Sequence, residues 1–198
     1  YWRVSYDENL EDLFRGGGPV DGPSELPFDA NDLEYNIYTG VDDENLYIGI
    51  EVKDDWIETD SADAGSENGQ TWLGDSGGIF IGGGNSNVEE RSTDGNPEVI
   101  DTGGQFVITA NNAYRQAEAG NPGYGPNDAW YALTEFTDTG YVAEFRISLD
   151  AIGNPQPGDV IGFNVGVNDD DTSGGSNRQV LWSGATHIES TYGNLFIG

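Results

Sequence analysis

Carboxylates dominate the chemistry this chain can offer. Asp54, Asp55, Glu58, Asp60 and Asp63 crowd one short stretch, and Asp169, Asp170 and Asp171 run consecutively ahead of Ser173 and Gly174. Loops dense in Asp, Asn and glycine carbonyls can supply the several hard oxygens that calcium takes. The order after Asp169 opens like a calcium loop, but an EF-hand would need a closing glutamate where Val180 stands, so it is not one. Like charges at this density repel unless a cation lies among them. The expected metal ligands are Asp54, Asp55, Asp60, Asp63, Asp169 and Asp171, with calcium as the cofactor. Asp94, Asn96, Glu98 and Asp101 make a third candidate loop. The alternative is that these are simply solvated acidic loops.

The whole chain shares this character. Thirty-six acidic residues face seven basic ones, for a net charge of −29 over 198 residues. Such a field disfavours nucleic acid and anionic membrane surfaces as partners, and it destabilises the fold unless counter-ions, bound metal or salt offset it. No apolar run reaches the roughly 18 residues of a membrane helix. Cysteine is absent, which removes disulfides, thiolate nucleophiles and zinc–thiolate sites. Methionine is absent too, and the single histidine, His187, sits in a late loop, so haem ligation is not expected. With this many carboxylates, finding a glycosidase-like pair carries no information. Zinc-protease and phosphate-loop motifs are missing. The chain is read as non-catalytic. An acidic, lysine-poor surface suits a saline, halophilic-like setting or a protein that holds divalent cations, and a start at Tyr1 fits either a processed, exported product or merely an arbitrary boundary; a secreted or cell-surface location is the expectation.

The elements that must position these groups are strands. Asn45–Lys53 alternates, with Leu46, Ile48, Ile50 and Val52 on one side. Tyr35–Thr39 precedes it across a turn-rich connection. Gly78–Ile81, Gln105–Ala110, Trp130–Phe136, Tyr141–Ser148, Val160–Asn168, Gln179–Trp182 and Asn194–Ile197 follow, and only Leu149–Ile152 reads as a helical turn. Without long amphipathic helices to make parallel crossovers, the strands must be antiparallel. The expected fold is all-β: one antiparallel β-sandwich domain, jelly-roll or immunoglobulin-like, with long acidic loops at 54–74, 82–104, 111–128 and 169–177.

The order of several segments resembles the family-nine carbohydrate-binding modules and their sandwich relatives. The segments are VDG (20–22), DDENLYIGIEVKDD (42–55), WLGDSGGIFI (72–81), TGYVAEFRISLDAI (139–152), GDVIGFNVGVNDDD (158–171), RQVLWS (178–183) and YGNLFI (192–197). The resemblance covers residues 20–198 and leaves 1–19 as an N-terminal extension. It implies a non-catalytic module that binds the end of a polysaccharide or oligosaccharide, often with structural calcium, outside the cell. Two tryptophans clamp the sugar in that family, and the matching positions are Trp72 and Trp182. Flat aromatic faces suit the apolar C–H patches of pyranose rings. Core or corner roles are the alternative for each. Asp75, Asn168 and Gln179 are the candidate polar contacts. Arg178 is either a further contact or a structural partner of Glu144. The chain departs from the family at Gly78, where a sugar-binding glutamate is usual.

That departure keeps a second reading open. Trp2, Val4 and Tyr6 alternate like a strand outside the region of resemblance. Such a segment could add to a neighbour's sheet edge. On this reading the chain is a calcium-stabilised subunit of an extracellular filament, adhesin or surface layer, and its partners are copies of itself.

Overall fold

A computed structural model describes residues 2–5, 32–67, 70–84, 103–117, 129–171, 178–183 and 191–198. Eleven strands occur among them: β1 (Trp2–Ser5), β2 (Leu33–Val41), β3 (Asn45–Asp54), β4 (Ser76–Gly82), β5 (Gly103–Thr109), β6 (Tyr114–Ala117), β7 (Trp130–Thr137), β8 (Gly140–Ser148), β9 (Val160–Asp169), β10 (Arg178–Leu181) and β11 (Gly193–Phe196). They form two antiparallel sheets, ordered β1-β2-β3-β8-β7 and β10-β9-β4-β5-β6. β10 takes the Gly166–Asp169 half of β9, and β11 takes the Val160–Phe163 half. The result is the antiparallel sandwich that the strand pattern predicts, with a single 3₁₀ turn at Leu149–Ile152. The strand after Ala113, β6, lies inside a stretch the sequence presents as loop.

The alternation read along 45–53 places Leu46, Ile48, Ile50 and Val52 in the core. They meet Ile79 and Ile81 from β4, Phe106 and Ile108 from β5, and Ile161, Phe163, Val165 and Val167 from β9. At one end of the sandwich Trp130 anchors the packing. Its ring stands edge-on to Phe106 at 5.4 Å and to Tyr114 at 6.1 Å, and stacks near Phe145 at 6.5 Å. Contacts of this kind add about 0.5–1.5 kcal/mol each beyond simple burial. Tyr35 ties the layers together by donating its hydroxyl to the Val180 carbonyl at 3.0 Å.

The β7–β8 hairpin depends on Gly140. Its φ of 154° is one that side chains rarely tolerate, and a Cβ there would fall 2.2 Å from the Val52 carbonyl oxygen. β1 pairs with β2 of its own chain, Trp2 opposite Ile37 and Ser5 opposite Glu34. The expected N-terminal strand is therefore present, on the edge of the chain's own sheet.

The two sheets differ on their outer faces. The first sheet's is open to solvent. The second sheet's is covered: Gly78 and Phe80 on β4, Val107 on β5, Asn164, Gly166 and Asn168 on β9, and Leu181 on β10 are all buried. Tyr192 forms part of the cover, its ring 6.4 Å from that of Phe80.

Candidate functional site

The site lies where both sheets end together. β3 stops at Asp54, opposite Leu33 at the start of β2. In the second sheet β4 starts at Ser76, opposite Asn168 near the end of β9, and opposite Thr109. Asp32, Asp54, Asp75, Asp169, Asp170 and Asp171 therefore converge from four strand ends. Two carboxylate groups form: Asp54, Asp75 and Asp169, and Asp32, Asp169 and Asp171, each with oxygens within 4.8 Å of one another. Asp169 belongs to both.

Asp75 is the centre of this arrangement and is fully buried. Its Oδ2 accepts the Glu58 backbone N–H at 2.6 Å, and its Oδ1 the Asp170 N–H at 3.4 Å. Its own backbone closes the loop, with N–H to the Glu58 carbonyl at 3.2 Å and carbonyl to the Ala110 N–H at 2.8 Å. Asp54 is 7% exposed. Its Oδ1 accepts the Trp56 N–H at 2.9 Å, while its Oδ2 is buried and has no hydrogen-bond partner. Burial pushes both carboxyls well above the usual carboxylate range, and for Asp75 the charge of Asp54 adds to it. Tyr141 stands beside them. Burial, then the charges of Asp75, Asp54 and Asp169, raise its hydroxyl far above the ordinary tyrosine value, and that hydroxyl is also buried without a partner.

An orphaned carboxylate oxygen facing two further buried carboxylates fits a divalent cation. A donor set made of hard oxygens favours calcium or magnesium over thiolate-loving metals. Of the ligands expected from sequence, Asp54, Asp169 and Asp171 come together here. Asp55, Asp60 and Asp63 are exposed and lie outside both groups. Asp63 instead accepts the Ser66 N–H through its backbone carbonyl in a turn. The stretch 94–101 lies outside the described residues, as does His187. Sequence spacing gave no hint of Asp32 or Tyr141, because each is brought in by strand pairing rather than by a local motif.

The positions matched to sugar contacts distribute along the second sheet. Trp72 precedes β4 and is 39% exposed at the carboxylate end. A turn holds it, Leu73 N–H to the Gln70 carbonyl at 2.9 Å, and so does Gly74, where a Cβ would meet Ser61 Oγ at 2.7 Å. Trp56, a more exposed tryptophan that the motif comparison passes over, follows Asp54 at the same end. Asn168 is buried and donates Nδ2 to Ser76 Oγ at 2.8 Å. Asp75, expected as a polar contact near Trp72, is instead sealed among the carboxylates. Gln179 lies half-buried on the outer face, its Nε2 3.2 Å from where a Gly166 Cβ would stand. Arg178, on β10 of the second sheet, and Glu144, on β8 of the first, lie in different sheets.

Trp182 sits elsewhere. Its N–H bonds to the Val165 carbonyl at 2.8 Å, four residues along β9 from Asp169, or about 13 Å at strand rise. The ring packs half-buried on Phe163 at 5.8 Å and over Gly193, where a Cβ would be 2.4 Å from it. Trp182 thus fills the seam between β10 and β11. Gly78 faces Gly166 directly across β4 and β9. The room that a longer side chain at 78 would use is taken by the Phe80 ring, 3.4 Å from a Gly78 Cβ.

Solved structures share this architecture. A family 9 carbohydrate-binding module from Caldicellulosiruptor kristjanssonii in complex with cellotriose is similar at 20% identity and a TM-score of 0.62, over 83% of this chain and 74% of that one. The same module with glucose gives 20% identity and 0.62, over 84% and 76%. A putative carbohydrate-binding protein from Bacteroides uniformis is similar in fold at 11% identity and a TM-score of 0.54, over 84% and 78%. No curated protein matches the sequence. The carbohydrate family 9 binding domain-like family matches residues 25–197, nearly the whole sandwich, and the chain belongs to that family.

Proposed function

We propose that this protein is a secreted or cell-surface, non-catalytic module that binds neutral oligosaccharide or polysaccharide and is stabilised by calcium. Family membership over residues 25–197 carries the reading. Trp72 supplies an exposed aromatic face at the end of the second sheet, and Gln179 an amide beside the Gly78–Gly166 pair. Aromatic stacking plus a few oriented polar groups is the usual economy of sugar recognition. The net charge argues for neutral glycans over polyanionic ones. The structurally similar module bound to cellotriose makes gluco-oligosaccharides the first ligands to try.

Calcium is assigned to Asp54, Asp75 and Asp169, with Asp32 and Asp171 beside them. What supports it is the buried Asp54 oxygen without a partner, a costly arrangement unless a cation completes it. When bound, the ion neutralises the cluster and ties the ends of both sheets together. The test is a glycan array probed with calcium-loaded protein and with Trp72→Ala. Binding that disappears in the variant supports the reading; no binding to any neutral glycan contradicts it.

A further inference from the structure

The open face of the first sheet carries an arrangement that neither the cation nor the Trp72 end uses. Cross-strand register puts Tyr47, Arg146 and Tyr131 in one row, Tyr47 opposite Arg146 across β3–β8 and Tyr131 opposite Arg146 across β7–β8. Tyr38 occupies the next row, opposite Gly49. Tyr38, Tyr47 and Tyr131 are 44%, 40% and 51% exposed, and Leu133 beside them 41%.

Two of the rings are held in place. The Tyr38 hydroxyl donates to Glu51 Oε2 at 2.9 Å, and its ring passes Gly49, with one ring carbon 3.8 Å from where a Cβ would be. The Tyr47 hydroxyl donates to Asp42 Oδ2 at 2.8 Å. Asp42 is itself fixed by the Glu44 and Asn45 N–H groups on Oδ1, at 2.8 and 2.7 Å. Rings fixed before binding lose little entropy on contact. Between the tyrosines stands a guanidinium that, among the described residues, makes no ion pair, in a chain where acids outnumber bases 36 to 7.

Charge decides what such a face can receive. Another copy of this chain, at −29, is repelled, and so is an anionic lipid surface. A neutral polymer with flat apolar faces and rim hydroxyls is not. We infer that the open face of the first sheet is a second glycan-contact surface, on which Tyr38, Tyr47 and Tyr131 receive pyranose faces of an extended neutral polysaccharide and Arg146 donates to its hydroxyls. Tyr47 and Tyr131 are two strands apart, about 9.5 Å, which suits a chain of sugars lying across the strands rather than a single ring. The inference rests on the carbohydrate-binding reading and adds to it a preference for polymer over short oligomer.

The test uses the full chain with calcium, insoluble cellulose and cellotriose. Tyr131→Ala/Arg146→Ala and, separately, Tyr38→Ala are compared with wild type, with melting curves to confirm folding. The expected result is at least a tenfold loss of retention on cellulose with cellotriose affinity unchanged. Unaltered retention in both variants overturns the inference. Wild type that binds cellotriose but not the polymer overturns it and leaves the module reading standing; wild type that binds neither removes both. A variant that changes sedimentation of the unliganded protein instead marks the face as a contact between copies, which also overturns it. Should the double variant fail to fold, Tyr131→Glu alone, at an exposed position, answers the same question.

Discussion

Asp75 and Glu58 hold each other through two hydrogen bonds, the Glu58 N–H to Asp75 Oδ2 at 2.6 Å and the Asp75 N–H to the Glu58 carbonyl at 3.2 Å. The clasp fixes a fully buried carboxylate at the meeting point of both sheets. Two substitutions separate its hydrogen-bonding role from its charge. Asp75→Ala leaves the Glu58 N–H unsatisfied and is expected to cost about 1–3 kcal/mol in chelator, and more with calcium because a ligand is lost as well. Asp75→Asn keeps an acceptor and removes the titrating proton, together with the anionic ligand that calcium would need. It is expected to melt no lower than wild type in chelator, yet to gain nothing from calcium. Paired thermal melts of the three proteins check this, and a calcium-dependent rise in Asp75→Asn equal to wild type contradicts it.

Chelation is expected to lower the melting temperature, since an ion bound only by the native state stabilises it, by about 2.7 kcal/mol at a hundredfold excess over Kd. The metal-free protein also has a defined pH response. Asp54 and Asp75 hold protons to higher pH when folded than when unfolded. The native state then binds more protons than the unfolded state as pH rises above about 4, so stability falls with rising pH. General repulsion at −29 has the same sign. Melts in chelator are expected to fall from about pH 5 to about pH 8, less steeply in Asp75→Asn and less steeply with calcium. A chelated protein equally stable across that window contradicts the assignment.

The two matched tryptophans are expected to behave differently. Trp72→Ala removes an exposed ring and should weaken oligosaccharide binding tenfold or more, about 1.4 kcal/mol, with little change in stability. Trp182→Ala opens the seam above Gly193 and beside Phe163 and should cost about 2–4 kcal/mol of stability. Titration with cellotriose and urea unfolding of both variants test the contrast.

Gly193→Ala puts a methyl where the Trp182 ring now lies, 2.4 and 2.5 Å from two of its carbons. The ring must leave, exposing Trp182 to water. A red shift in fluorescence is expected relative to wild type, and none when the same change is made on a Trp182→Phe background.

How much of this was legible depended on whether the cue was local. The alternation of Leu46, Ile48, Ile50 and Val52 needs only one strand to be read, and β3 follows it. β9 was half legible. Ile161, Phe163, Val165 and Val167 enter the core as their spacing says, but Gly162, Asn164, Gly166 and Asn168 are buried too, because the second sheet is covered on both faces. β6 offers no such cue, because Arg115 and Gln116 interrupt any apolar alternation. Proximity to Trp72 in sequence suggests a sugar contact for Asp75, whereas its hydrogen bond with Asp170 spans 95 residues. Asp32 joins Asp169 and Asp171 in the same way, through pairing that no short motif encodes.

Titration calorimetry of cellotriose into the calcium-loaded protein and into Trp72→Ala decides whether the Trp72 end of the sandwich holds sugar. Wild type is expected to bind saturably, with at least a tenfold drop in the variant. Equal heats from both proteins would contradict it, as would none from either across a panel of neutral oligosaccharides.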